Sequence, residues 1–151
     1  MSGFVSTAHI APTGTLMNDG FFPDIEMADF AKVMQIGQDI TPARQTQVLA
    51  NAIIAINSRL ASIRNDETTL AEIPAPRVND VSAKITLYLE AVYCTAKAAL
   101  LEDFNRYDIV KKDPQRHIDT TESASSDNRR RAIHAVSLLL GQKSANRVFS
   151  I

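Results

Sequence analysis

The sequence predicts a mainly α-helical fold: a four-helix bundle with an extended N-terminal arm and a short, strand-like C-terminal tail. Three observations predict it. Four separate stretches carry apolar residues every three or four positions, the period of a helix with one buried face. Helix-starting and helix-stopping residues bound the clearest of these stretches. Only five glycines occur in 151 residues, which leaves little for tight turns. The expected organisation is an arm over residues 1–23, a helical domain over 24–141 and a tail over 142–151.

Each element has its own justification. Residues 1–23 show no helical period, with Phe4, Val5 and Ile10 scattered among Ser, Thr, Gly and Pro. Pro23 suits the first turn of a helix, and Asp24 and Glu26 suit its positive end. Ile25, Phe30, Val33 and Met34 share one face, which predicts helix 1 from about 24 to 36, stopping near Gly37. Thr41 is a good N-cap and Pro42 a good first residue. Leu49, Ile53, Ile56, Leu60 and Ile63 then form a buried stripe, widened by Ala50, Ala52, Ile54 and Ala55, which predicts helix 2 over about 42–64. Two prolines, Pro74 and Pro76, end that signal. Helix 3 is predicted over about 80–107, capped by Asn79 or Asp80. Its apolar positions from Val81 through Tyr88, Val92 and Ala96 to Phe104 cover more than half its circumference, as in a central helix. The polar stretch 108–126, with Pro114, reads as a long loop. Helix 4 is predicted over about 127–140, capped by Ser126 or Asp127, with Ile133, Val136, Leu139 and Leu140 toward the core and Gly141 as the stop.

Composition bounds the function. One domain of ordinary size fits the length. A single cysteine, Cys94, excludes a disulfide framework and a multi-cysteine zinc site, and its apolar neighbours suggest a buried hydrophobe. No apolar run is long enough to span a membrane, and the first residues lack the basic-then-apolar pattern of a secretory signal. The net charge is −1, but residues 1–75 hold four Lys/Arg against eight Asp/Glu, and 76–151 hold twelve against nine. Two faces of opposite sign would favour head-to-tail packing or partner steering.

No pattern in the sequence carries enzyme chemistry. His9, His117 and His134 are far apart, without metal-ligand spacing. The neighbours Asp66–Glu67 and Glu102–Asp103 point in different directions on a helix, so neither is a preset acid–base pair. There is no GxSxG, GxGxxG or GxxxxGK[ST]. No catalytic residue, metal ligand or cofactor is expected. What remains is basic: Lys111, Lys112 and Arg116, then Arg129, Arg130 and Arg131, then Lys143 and Arg147. The arginine triplet stands where helix 4 is expected to begin, and a helix N-terminus disfavours cations. Either the triplet is solvated, or something negative meets it. The end of the chain, with Val148, Phe149 and Ile151 alternating with polar residues, suits a short strand that pairs with another subunit.

Taken together the segments resemble one family. "FPDIEMADFAKVMQIGQDITPARQTQVLANAIIAINSRLA" is similar to the N-terminal half of the head completion/stabilisation proteins of contractile-tailed phages, the GpL type, in its Pro23–Asp24 helix start, its Thr41 to Arg44 motif and its Asn57. "YLEAVYCTAKAALLEDFNRYD" resembles the family's central helix, and "RRRAIHAVSLLLG" with "RVFSI" its closing arginine-rich helix and apolar tail. The 108–126 stretch departs from the family pattern by its proline and lysines. The resemblance implies a helical connector subunit of the virion neck, made in the host cytoplasm. It implies docking on the portal protein after DNA packaging as a ring of neighbouring copies, twelve as in the family. The ring would stabilise the filled head and present a surface to tail-completion proteins. Arg129, Arg130, Arg131 and Arg147 would then dock on an acidic partner or on packaged DNA, and Val148, Phe149 and Ile151 would insert into a neighbour. Replacing the triplet by glutamate is expected to spare the monomer's helicity. A small DNA-binding or packaging accessory protein is the alternative.

Overall fold

A computed structural model describes the backbone of residues 12–108 and 114–142, and the side chains of that set outside 105–108 and 114–121. The protein is mainly helical, with two short antiparallel ribbons. Strands β1 (Thr15–Leu16) and β2 (Ile25–Glu26) pair with Thr15 opposite Glu26. Then come α1 (Met27–Val33) and α2 (Pro42–Arg59). Two single-turn 3₁₀ segments, Ala61–Ile63 and Leu70–Glu72, lead to β3 (Arg77–Val78) and β4 (Val81–Ser82), which pair with each other. The long helices α3 (Ala83–Asp108) and α4 (Pro114–Leu139) follow. α3 and α4 form a helical hairpin, and α2 lies along α3. α1 is only two turns long, against the helix expected over about 24–36: residues 25–26, which follow Pro23–Asp24, are strand β2 rather than a helix start.

Part of the expected arm belongs to the core. Residues 1–11 lie outside the described residues, but Phe21 and Phe22 are buried, 3% and 2% exposed. Asp19 holds this turn by accepting the Phe21 and Phe22 amides, each at 3.0 Å, and the Phe21 carbonyl accepts the Leu70 amide at 2.9 Å. Phe22 stacks on Tyr88 of α3, centroids 4.8 Å apart. Over residues 12–26 the absence of a helical period marks a ribbon packed on the core.

Helix boundaries follow from caps. Thr41 accepts the Arg44 amide at 3.2 Å and Pro42 opens α2, as its sequence predicts. Two expected caps are corrected. Asn79 and Asp80 are the left-handed pair of a tight turn (φ +52° and +61°) between β3 and β4. Both residue types tolerate that conformation, which matches the twist of a two-residue hairpin. The α3 cap is instead Ser82, whose hydroxyl accepts the Lys84 amide at 3.3 Å. α1 ends before Gly37: Gln35 takes the left-handed position (φ +52°), its amide bonds the Lys32 carbonyl, and the Ile36 amide bonds the Ala31 carbonyl. Gly141 (φ +69°) closes α4 as predicted, with the Gly141 and Gln142 amides returning to Leu138 and Ser137.

The largest correction concerns 108–126. Pro114 starts α4 rather than interrupting a loop, and a proline suits a first helical residue because its missing amide has no partner to lose there. Among the described side chains of that stretch, the buried one is small. Ser125 is 5% exposed and bonds both the Ala98 carbonyl (3.5 Å) and Glu102 (3.0 Å). Ala91, Cys94 and Ala98 of α3 and Ser125, Ala132 and Ala135 of α4 are all buried, and small side chains let two helices approach closely. The same core, which takes in Ala91, Ala135, Val136 and Leu139, continues to Ile25, Phe30, Leu49, Ile56, Leu60, Leu70, Tyr88 and Val92, which are fully enclosed.

Candidate functional site

The arginine triplet is not at a helix start. Arg129 lies fifteen residues into α4, beyond reach of the terminal partial charge, which acts within the first turn. Successive helical residues are rotated by about 100°. The α4 face that meets α3 is centred on Ser125, Ala132 and Leu139, so Arg130 points directly away from it, while Arg129 and Arg131 point to opposite flanks.

Each flanking arginine meets a carboxylate of α3. Arg129 binds Glu102 through two parallel bonds, Nε–Oε1 at 2.7 Å and Nη2–Oε2 at 2.8 Å, and these hydrogen bonds hold its guanidinium above the usual range. Arg131 reaches Glu90 Oε1 through Nε at 3.0 Å and Nη2 at 2.9 Å. Arg130 is different: its side chain is 81% exposed, and its nearest carboxylate, Asp127, is 3.9 Å away. Thus something negative does meet the triplet, and for two of its three members it is α3. Reversing all three charges would set Glu against Glu102 and Glu90, so the triple change acts on the α3–α4 contact as well as on the outward surface.

A groove runs along each flank of α4. The first, about 220 Å³, lies among α2, α3 and α4, lined by Ala55, Arg59, Thr95, Arg129, Ala132 and Ile133. The second, also about 220 Å³, lies among α1, α3 and α4, lined by Asp29, Val33, Glu90, Tyr93, Cys94 and Arg131. Val33, Ile54 and Ile133, expected on core faces, are instead 59%, 68% and 52% exposed. Val33 and Ile133 border the second and first grooves, and Ile54 adjoins Ala55 on α2. In the second groove, Tyr93 donates to Asp29 Oδ2 at 2.6 Å. Burial, then that bond and the charges of Asp29 and Glu26, keep its phenol protonated well above the usual range. Cys94 is fully buried and burial raises its thiol, so it behaves as a small hydrophobe, as its sequence context suggests.

The other sequence-predicted groups do not converge. Arg147, Val148, Phe149 and Ile151 lie outside the described residues, as do His9, Lys111, Lys112 and Lys143, and the side chains of Arg116 and His117. His134 is exposed on α4. Asp66 pairs with Arg64 at 2.8 Å, and Asp103 pairs with Arg44. Among the described residues no group of three or more His, Cys, Asp and Glu could hold a metal ion, and no helix is long and apolar enough to cross a membrane.

One constellation was not foreseen as a unit. Tyr88 donates to Asn57 Oδ1 at 2.6 Å, Asn57 donates to Asn18 Oδ1 at 2.8 Å, and Asn18 donates back to the Tyr88 oxygen at 2.8 Å. Asn18 also donates to the Pro23 carbonyl at 2.9 Å, and its amide bonds Asp24 at 2.7 Å. This closed triangle ties the N-terminal ribbon to α2 and α3.

The profile of the phage head completion protein (GPL) matches residues 16–148, nearly the whole described fold. The chain belongs to this family. It is 29% identical over 113 residues to the head completion/stabilization protein of Escherichia phage P2, covering 70% of this chain and 67% of that one. It is 33% identical over 95 residues to the probable head completion/stabilization protein of Haemophilus phage HP1 (strain HP1c1), covering 60% of this chain and 63%, just under two thirds, of that one. No solved structure gives a significant match. The positions that carried the GPL resemblance now have physical roles. Thr41 caps α2, Arg44 clamps α2 to Asp103, and Pro23, Asp24 and Asn57 belong to the triangle and its extension. They fasten the fold, which is why they leave open what the outer surface binds.

Proposed function

We propose that this GPL-family chain is a structural, non-enzymatic subunit of the virion neck that completes the phage head. It docks on the portal protein as a ring of copies, twelve as in the family, after DNA is packaged, stabilises the filled capsid and offers the surface to which tail-completion proteins attach. Family membership over residues 16–148 supports the head-assembly role. The observation that carries the docking role is Arg130, a cation turned outward at the crest of α4, 81% exposed and touched only by the exposed Asp127 at 3.9 Å among the described residues. Arg130 and Arg147 contact an acidic portal surface or packaged DNA, Arg129 and Arg131 hold the crest in place through Glu102 and Glu90, and Val148, Phe149 and Ile151 insert into a neighbour.

The test separates these roles. Arg130→Glu should leave far-UV circular dichroism and thermal stability within about 0.5 kcal/mol of wild type, yet abolish co-elution with purified portal. Arg129→Glu, which sets a third-party carboxylate against Glu102, should cost about 1–1.5 kcal/mol of stability through a lost exposed pair and new repulsion. Co-elution of Arg130→Glu at wild-type level would show that the crest is only solvated surface. Tight duplex-DNA binding by the isolated chain, falling steeply with salt, would favour the packaging-accessory alternative.

A further inference from the structure

The two grooves flanking α4 are opposite in charge. The α2–α4 groove carries Arg59 and Arg129 against Glu102, and Arg59 has no carboxylate partner among the described residues. Beside the α1–α4 groove stand Asp29, Glu90 and Glu26 against Arg131. Lys97 is turned inward to the Met34 carbonyl at 3.1 Å, capping α1. Each groove also has an apolar lip that the monomer leaves uncovered: Ile133, with Ile54 nearby, on the cationic side and Val33 on the acidic side. An apolar lip with a cation on one flank, and an apolar lip with carboxylates on the other, are complementary surfaces of a single chain.

We infer that the chain associates with itself head to tail, the Val33 edge of α1 in one copy seated in the α2–α4 groove of the next. Glu26 and Asp29 of the first copy then face Arg59 of the second, and Val33 covers Ile133. The contact is heterologous, since the two patches differ and lie on opposite flanks of α4. Such a contact does not stop at a dimer; it propagates until it closes into a ring or extends as a filament. The inference deepens the assembly proposed above by naming the surface between copies, and it leaves Arg130 outward for a different partner.

Two single-cysteine additions to the full chain test it, with a short bismaleimide as the probe. Wild type, whose only cysteine is buried, is the baseline. Val33→Cys alone and Ile133→Cys alone should each give baseline crosslinking, while their mixture should give a linked pair. Adding Arg59→Glu to the Ile133→Cys partner should lower that yield about tenfold, the effect of losing about 1.4 kcal/mol of association. Adding Glu26→Arg to the Val33→Cys partner should restore it. Self-linking by either variant alone, or no linking in the mixture, would overturn the inference, as would indifference to Arg59→Glu. Arg130-dependent portal binding that persists without any crosslink would leave the docking role standing and remove only this interface.

Discussion

Removing the Tyr88 hydroxyl should cost the fold about 2 kcal/mol, although a phenylalanine fills the same space. The hydroxyl donates to Asn57 Oδ1 at 2.6 Å and accepts from Asn18 Nδ2 at 2.8 Å. Tyr88→Phe keeps the ring stacked on Phe22 and opens no cavity, so the loss is confined to the polar side. It strands one acceptor on Asn57 and one donor hydrogen on Asn18. A buried polar group left without a partner costs about 1–3 kcal/mol. Asn18 and Asn57 are only partly buried, so each sits near the low end, about 1 kcal/mol. Near 150 residues, each kcal/mol moves Tm by about 2–4 °C, so Tm should fall by about 4–8 °C in a thermal scan followed by circular dichroism. Because the three side chains form one closed set, Tyr88→Phe and Asn57→Ala should be non-additive: the double variant should lose at least about 0.5 kcal/mol less than the sum of the singles. A loss under about 0.5 kcal/mol, or strict additivity, would refute the fastening role. Loss of portal co-elution at unchanged Tm would refute it in another way, by making these residues a contact surface.

Two further outcomes follow from the same geometry. Gln35 holds the left-handed C-terminal position of α1, where an L side chain is strained, so Gln35→Gly should raise stability by about 0.5–1 kcal/mol in urea titration, against the loss glycine usually brings. Burial raises the phenols of both Tyr88 and Tyr93. Below about pH 10 each is protonated in folded and unfolded chain alike and contributes no pH dependence. Above it the unfolded chain releases protons that the folded chain keeps, so stability falls by about 1.4 kcal/mol per pH unit per tyrosine. Tyr88→Phe or Tyr93→Phe should each flatten that alkaline slope by about one such increment, measured by urea unfolding across the alkaline range.

The parts of the fold that were legible in sequence are those where one residue type answers one physical demand. Thr41–Pro42 starts α2 because a hydroxyl can satisfy an orphan amide and a proline has none to orphan. Gly141 ends α4 because the left-handed position carries no penalty for glycine. α3 is central because its buried residues, from Tyr88 to Leu100, surround its axis. The start of α4 was illegible because the buried residues on its described face toward α3, Ser125, Ala132 and Ala135, are small. Those residues meet α3 closely without the large apolar side chains by which periodicity is counted. Asn79–Asp80 was legible as polar punctuation but ambiguous in kind, since the same residues cap helices and turn hairpins. The triangle was invisible because Asn18, Asn57 and Tyr88 are 31 to 70 residues apart, and no local pattern links them.

The misplaced apolar residues are more informative than the correct ones. Val33, Ile54 and Ile133 fall in or beside the helical stripe of their elements, so periodicity counts them as core. A stripe wider than the neighbours that the chain itself can supply leaves its edges bare. In α1, α2 and α4 the bare edge is a β-branched aliphatic next to a charged groove rim. Single exposed aliphatics are ordinary on a monomer. Here two of the three are paired with grooves of opposite sign on the two flanks of one helix, and the third adjoins the cationic one. The arginine triplet makes the same division. The 100° step of the helix sends Arg129 to the cationic flank, Arg131 to the acidic flank and Arg130 outward. One run of three identical residues thus points three separate ways, and substituting the run as a block would confound them. That is why single charge reversals, Arg59 for the flank and Arg130 for the crest, discriminate between contact with a second copy and contact with a different partner.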